Sequence, residues 1–274
     1  MERVGEHPIP AGPLAVRWLG YDLPDFRAGA ESAVEVVLQN AGTATWRLRG
    51  ELGVRLSYHW LDDRGNAIVW DGPRVDFGGP VAPGDEIEVA LRVRAPQPPG
   101  RYRLAFDLVE ELRFWFEEVG SVPLELPVDV RPRIAERRLA VVVQGGPDAE
   151  TEVALAAQDE PLVSEDAVAV AHLVPGAAPA PDWSRLVLDA HAEGYAAVGS
   201  ALEVESRAER RRFAAWAHGG GRNPRFGQPL LLPSLLDGLE PTTHLHLPAF
   251  VGDDALFEGR AVVRLRRRSG RRSG

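Results

Sequence analysis

From Trp18 to Val130 apolar and polar residues alternate along the chain in short runs. In "GVRLSYHW", Val54, Leu56, Tyr58 and Trp60 fall on one face, with Arg55, Ser57 and His59 on the other. "EIEVALRVRA" sets Ile87, Val89, Leu91 and Val93 against Glu88, Arg92 and Arg94. "AVEVVLQN", "RYRLAFDL" and "VPLELPVDV" repeat the pattern. This alternation predicts strands that bury one face and wet the other. The intervening "NAGT", "DDRGN", "APGD" and "PQPPG" carry turn chemistry. Pro127 falls on the polar side of its run, which predicts an edge strand. Short strands, regular turns and no helical period predict an immunoglobulin-like β-sandwich over residues 12–131.

The pattern changes after "RPRIAERR", a charged, proline-containing boundary at Arg131–Arg138. "RLAVVVQGG", "DAVAVAHLV" and "GYAAVGSALEV" are continuous apolar runs, as strands buried on both faces would be. "PDWSRLVLDAHAEG" has a helical period: Asp182 is the N-cap candidate, Trp183, Leu186, Val187 and Ala190 form the apolar stripe, and Gly194 is the stop. "SRAERRRFAAWAHGGG" predicts another helix, with Ser206 and Glu209 at capping-box spacing. Strand–helix–strand order predicts a small α/β domain over residues 138–266. The basic end, 267–274, reads as a disordered tail.

Two aromatics sit outside the predicted core. In "RFWFEE", Phe114 and Phe116 share one face and Trp115 takes the other; Trp70 follows the "LSYHWLDDRGN" turn. Trp70 and Trp115 are the candidate aromatic contacts. An open indole beside Glu117 and Glu118 can stack on a sugar or on a partner chain, or it can cap the open end of the sandwich.

Composition narrows the chemistry. All 31 basic residues are arginine and there is no cysteine, which excludes lysine Schiff bases, disulfides, thiolate catalysis and cysteine-ligated zinc. A formal net charge of -9 disfavours general nucleic-acid binding. "MERVGEHPIPAGP" lacks the apolar stretch of a leader, and no apolar run is long enough to span a bilayer, so a cytoplasmic location is the expectation.

The runs "VVLQNAGTATW", "LSYHWLDDRGN", "VAPGDEIEVALRVRAPQPPGRYRLAFDLVEE", "FWF" and "VGSVPLELPVDV" together resemble an immunoglobulin-like accessory domain. That domain accompanies many bacterial family 2 glycosyltransferases and some methyltransferases. It is distantly similar to the four-tryptophan domain of autophagy receptors. The resemblance implies a non-catalytic interaction domain with no active site. "VAVAHLVPGAAPAPDWSRLVLDAHAEGYAAVGSALE" is in turn similar to part of a GT-A glycosyltransferase. Where that family places an Asp-x-Asp to hold a divalent ion, this chain has His172, Leu173, Val174, Pro175 and Gly176. Neutral groups cannot hold a hard cation against a diphosphate, so a degenerate remnant is the reading.

Other candidates are sparse. "QGGPDAE" lacks the spacing and lysine of a phosphate loop and reads as a structural turn. His244 and His246, with Asp253 and Asp254 nearby in sequence, are the only metal candidates, and no complete ligand set is recognisable. Asp189 and His191 share a helix at positions that do not converge, and Ser234 lacks a nucleophile elbow. In "GGGRNPRFGQP", Arg222, Asn223 and Arg225 are candidate anion or ligand contacts. No cofactor or catalytic residue is expected. The sequence-based expectation is an accessory or binding protein of bacterial cell-surface polysaccharide assembly, with a protein or glycan as partner. The alternative is a divergent, metal-independent glycosyltransferase using those arginines.

Overall fold

The computed structural model describes residues 1–49, 52–143, 145–173, 176–204, 242–244 and 255–265. The chain divides into two compact units, Met1–Arg131 and Pro132–Gly274. The strands of the first unit are β1 (Glu2–Arg3), β2 (Val16–Asp22), β3 (Glu31–Asn40), β4 (Leu48–Arg49), β5 (Leu52–Leu61), β6 (Ala67–Val69), β7 (Glu86–Arg94), β8 (Gly100–Glu110), β9 (Phe114–Trp115) and β10 (Leu124–Val130). They form two antiparallel sheets, one in the order β1-β2-β3-β7 and the other β10-β8-β5-β4. In the second sheet β6 also pairs with β5, and β9 with β8.

The alternation read from the sequence is the alternation seen in the sheets. β10 is buried at Leu124, Leu126, Val128 and Val130 and exposed between them. β5 contributes Val54, Leu56, Tyr58 and Trp60 to a single core that both sheets share with Val34, Val36, Leu38, Val89, Leu91, Val93, Leu104 and Phe106. Two sheets closing on one apolar layer make a β-sandwich. Pro127 sits opposite Arg103 on β10, the outer strand of its sheet, where a missing N–H leaves no inner ladder bond unmade.

The turns hold as their residues require. Asn40, in "NAGT", donates through its amide to the carbonyls of Ala44 and Val81, both at 2.9 Å, and accepts from the Gly42 N–H. A side chain at Gly42 would meet the Pro13 carbonyl oxygen at 2.2 Å, so only glycine fits this crossing of two backbones. The unit closes on itself at its end: Arg131 donates its N–H to the Phe26 carbonyl and pairs with Asp25 at 3.0 Å. With an apolar core of its own, the first unit, carried in residues 1–136 expressed alone, is expected to melt cooperatively. A broad, non-cooperative transition would show that they need the rest of the chain.

The second unit contains β11 (Leu139–Val143), α1 (Ala149–Ala156), β12 (Ala169–Leu173), β13 (Ala177–Pro179), α2 (Trp183–Glu193), β14 (Ala197–Val204), β15 (Thr242–His244) and β16 (Ala255–Leu265). Its sheet runs β11-β12-β15-β14-β16-β13, parallel except where β13 meets β16. α2 follows the apolar stripe: Trp183, Leu186, Val187 and Ala190 are all buried. The Trp183 indole donates to Ser200 Oγ on β14 at 2.8 Å, which ties the helix start to the sheet. Asp182 occupies the N-cap position without a side-chain capping bond, and Gly194 ends the helix. The short α1, opened by Asp148 accepting from the Thr151 N–H at 2.9 Å, was not expected. Among the described residues no helix is long and apolar enough to cross a membrane.

Candidate functional site

The outer face of β5 is where the structure departs from a simple wet surface. Ser57 and His59 occupy polar-face positions, yet they are 0% and 2% exposed. The cause is the chain after β6. Residues 70–76 fold back over the strand, and Leu56 and Val75 exchange two backbone hydrogen bonds. Gly72 makes this approach feasible: its N–H donates to the Tyr58 carbonyl at 3.0 Å, and a Cβ there would lie 2.6 Å from that oxygen. Ser57 Oγ donates to the Gly72 carbonyl at 2.8 Å. Arg74 locks the strap by donating to Ser57 Oγ, the Gly72 carbonyl, Asp71 and Glu111.

The strap delivers Trp70 onto His59. Their rings stack at 4.2 Å with 21° between planes, while Trp115 meets His59 edge-on at 4.3 Å and Trp70 at 5.9 Å. The Arg74 guanidinium lies 4.7 Å from the Trp115 ring centre, a cation–π contact. His59 Nδ1 hydrogen-bonds the Trp70 carbonyl, and Nε2 is buried with no partner. Burial pushes the imidazole below its usual range, so it is a neutral plate under the indole.

Trp115 is positioned by a buried carboxyl. Asp107 on β8 accepts from the Leu108 N–H at 2.7 Å and from the Glu117 N–H at 3.2 Å. The second bond anchors the short 3₁₀ turn Phe116–Val119, whose Glu118 carboxylate accepts from the Trp115 N–H at 3.0 Å. Burial pushes the Asp107 carboxyl up to about 7, against the opposite pull of its two N–H donors.

Of the two candidate tryptophans, Trp115 is 8% exposed and supports the cluster, whereas Trp70 is 46% exposed. Trp70 is the only exposed aromatic among the described residues. One face rests on His59, Trp115 meets it edge-on, and about half of the residue meets solvent. Elsewhere on this unit, at the end of β5 where Val54 pairs with Glu110, an open cleft of about 700 Å³ is lined by Leu14, Thr45, Arg47, Glu110, Glu111 and Phe114, among others. Glu111 belongs to both places, since it also pairs with Arg74 and Arg55 at 3.0 and 3.5 Å. No sequence signal marked Ser57, His59, Asp107 or Arg74; the first two and Arg74 take their roles from the returning strap, and Asp107 from the turn at Phe116–Val119.

In the second unit, the helical Asp189 and His191 do not converge. Asp189 pairs with Arg137 at 2.9 Å, while His191 is buried and its Nδ1 meets the Tyr195 carbonyl at 2.8 Å. Gly145 and Gly146 in "QGGPDAE" adopt positive φ. His172 is exposed on β12, and its backbone position is in register with His244 on β15. Among the described residues no cluster of three or more His, Asp or Glu can hold a metal ion. Ser206, Glu209, Arg222, Asn223, Arg225, Ser234, His246, Asp253, Asp254 and the basic tail lie outside the described residues.

No family model and no curated protein matches the chain. Solved structures that resemble it include the C-terminal domain of wzt, at 10% identity and a TM-score of 0.30, covering 45% of this chain and 76% of that one. A CARDB domain from Pyrococcus furiosus is 18% identical with a TM-score of 0.22, covering 42% and 83% of the two chains. The putative ApaA protein from Bordetella pertussis is 20% identical with a TM-score of 0.23, covering 46% of this chain and all of that one. Likeness at this level says nothing of function.

Proposed function

We propose that the chain is a non-catalytic binding protein of bacterial cell-surface polysaccharide assembly. Its first unit is an immunoglobulin-like accessory domain that contacts glycan through Trp70. The second unit is a small α/β domain, a degenerate relative of GT-A glycosyltransferases that no longer holds a metal. The observation that carries the glycan contact is the half-exposed Trp70 indole held flat on neutral His59. A pyranose offers an apolar C–H face and a rim of hydroxyls. An immobilised indole suits the first, and the flanking Asp71 and Arg74 suit the second. A free indole would lose rotamer freedom on binding; this one is already ordered by His59, Trp115 and the strap.

The full chain titrated with a panel of bacterial surface polysaccharides is expected to show quenched tryptophan fluorescence. Trp70→Ala should weaken that binding roughly tenfold or more. Val153→Ala, a change at an exposed site in the second unit, should leave it unaltered. Binding to no glycan, or binding indifferent to Trp70, would remove the basis of the reading. Calorimetry with nucleotide sugars is expected to show no manganese-dependent binding; such binding would instead favour an enzyme.

A further inference from the structure

The open edge of β7 carries a pattern that the glycan reading leaves unused. Asn40 donates its N–H to the Asp85 carbonyl, and Ala95 to the Ala30 carbonyl, both at 3.0 Å. With the β3–β7 register running from Glu31↔Arg94 to Gln39↔Glu86, these bonds assign the odd-numbered residues to the ladder with β3. Glu86, Glu88, Ala90 and Arg92 therefore direct their backbone N–H and C=O groups outward. β7 ends its sheet, and no described strand pairs with that side. The same four residues are exposed, while Val89, Leu91 and Val93 are buried beneath them.

Proteins generally blunt such an edge. Pro127 interrupts β10, and β1 at the opposite margin of β7's own sheet is only two residues long. β7 has nine residues and no proline. Its outer-face charges are instead divided by sign: exposed Glu86 and Glu88 precede Ala90, and exposed Arg92 and half-buried Arg94 follow it. Uniform charge would repel a second copy in every register. A strand acidic in one half and basic in the other attracts an antiparallel copy of itself.

We propose that β7 pairs antiparallel with β7 of a second copy of this chain, about a two-fold axis at Ala90. In that register Ala90 faces its own counterpart, so no charge lies on the two-fold axis. Glu88 lies opposite Arg92 of the second copy on the solvent face, and Glu86 lies toward Arg94. All facing backbone groups belong to even-numbered residues, as the outward set requires, and Val89 meets Leu91 on the inner face. Registers centred on Glu88 or Arg92 would oppose like charges, and those centred on Val89 or Leu91 would set only one glutamate of each strand opposite an arginine, so the Ala90 register makes the most opposite-charge pairs. The ladder spans Glu88–Arg92 and stops at Arg94, whose N–H already donates to Tyr58 Oη at 3.1 Å and whose carbonyl accepts from the Trp60 indole at 2.8 Å.

Sedimentation equilibrium of the full chain is expected to show a monomer–dimer equilibrium that weakens as salt is raised. Glu88→Arg alone and Arg92→Glu alone each place like charges opposite one another, and each should weaken the dimer about tenfold or more. An equimolar mixture of the two variants restores opposite charges at both positions, so it should dimerise at least as well as the parent. Ala90→Pro removes only an outward N–H and should leave a folded monomer, with circular dichroism as the check. A parent chain that stays monomeric up to about 1 mM overturns the proposal. So does a dimer indifferent to both charge changes, or a variant mixture that fails to associate while each variant remains folded. Polysaccharide binding by Ala90→Pro separates this result from the glycan reading, because Trp70 is untouched.

Discussion

Trp60→Ala is expected to destabilise the first unit by about 3–5 kcal/mol. The side chain is 0% exposed and sits where the two sheets meet, opposite Leu104 on β8. Its ring packs edge-on against Phe26 at 5.4 Å and Tyr102 at 6.3 Å. Truncation removes the largest side chain type from a closed layer, and neighbouring strands fixed by their ladders cannot collapse fully into the space. It also leaves the Arg94 carbonyl without the indole N–H that now reaches it at 2.8 Å. Chemical denaturation of the parent and the variant measures the difference. A loss below about 1 kcal/mol would mean that the indole is not part of the core.

The second large effect is a pH dependence centred on Asp107. Its carboxyl is pushed up to about 7 in the folded chain, whereas an unfolded aspartate titrates near 3.9. Between those values the folded state holds a proton that the unfolded state has released. Stability therefore falls as pH rises from about 4 to about 7, and is level above that. His59 acts in the opposite sense: its pKa is lowered by burial, so its contribution is present above the unfolded value near 6.5 and is lost as pH falls. Comparing the parent with Asp107→Asn isolates the carboxyl. The amide cannot ionise, though it loses one of the two bonds to Leu108 and Glu117 N–H groups. The variant should be the less stable near pH 5 and should gain on the parent by roughly 2–4 kcal/mol toward pH 8. A stability difference that does not change with pH would show that Asp107 ionises in the ordinary range.

How much of this was legible in the sequence depends on distance along the chain. Val54, Leu56, Tyr58 and Trp60 share a face because side chains alternate along a strand, and that periodicity is local. Pro127 signalled an edge for an equally local reason, its missing N–H. The stripe on α2 was readable from the spacing of Trp183, Leu186, Val187 and Ala190. α1 was not, because Ala149–Ala156 is mostly alanine and glutamate and has little apolar face. The burial of Ser57 and His59 was beyond the reach of any local period. Both lie at positions that should be wet, and become dry only because Gly72 lets a later segment cross Tyr58. Trp70 was recognisable as an aromatic out of pattern. Its role as the outer layer of a His59–Trp115 stack was not, since it depends on Asp107 fixing the turn that carries Trp115.

Pro127 has a consequence for how far self-association can proceed. Sheets that extend from both flanks polymerise, because each added molecule presents a fresh flank to the next. Among the described residues the sandwich has one long flank able to donate hydrogen bonds, at β7, and the proposed two-fold pairing there would consume it on both molecules at once. The other long flank, β10, is interrupted midway by a residue that has no proton to give. Growth by strand addition would then terminate at a closed pair, because the described edges of the sandwich offer that pair no second long flank from which a fibre could extend.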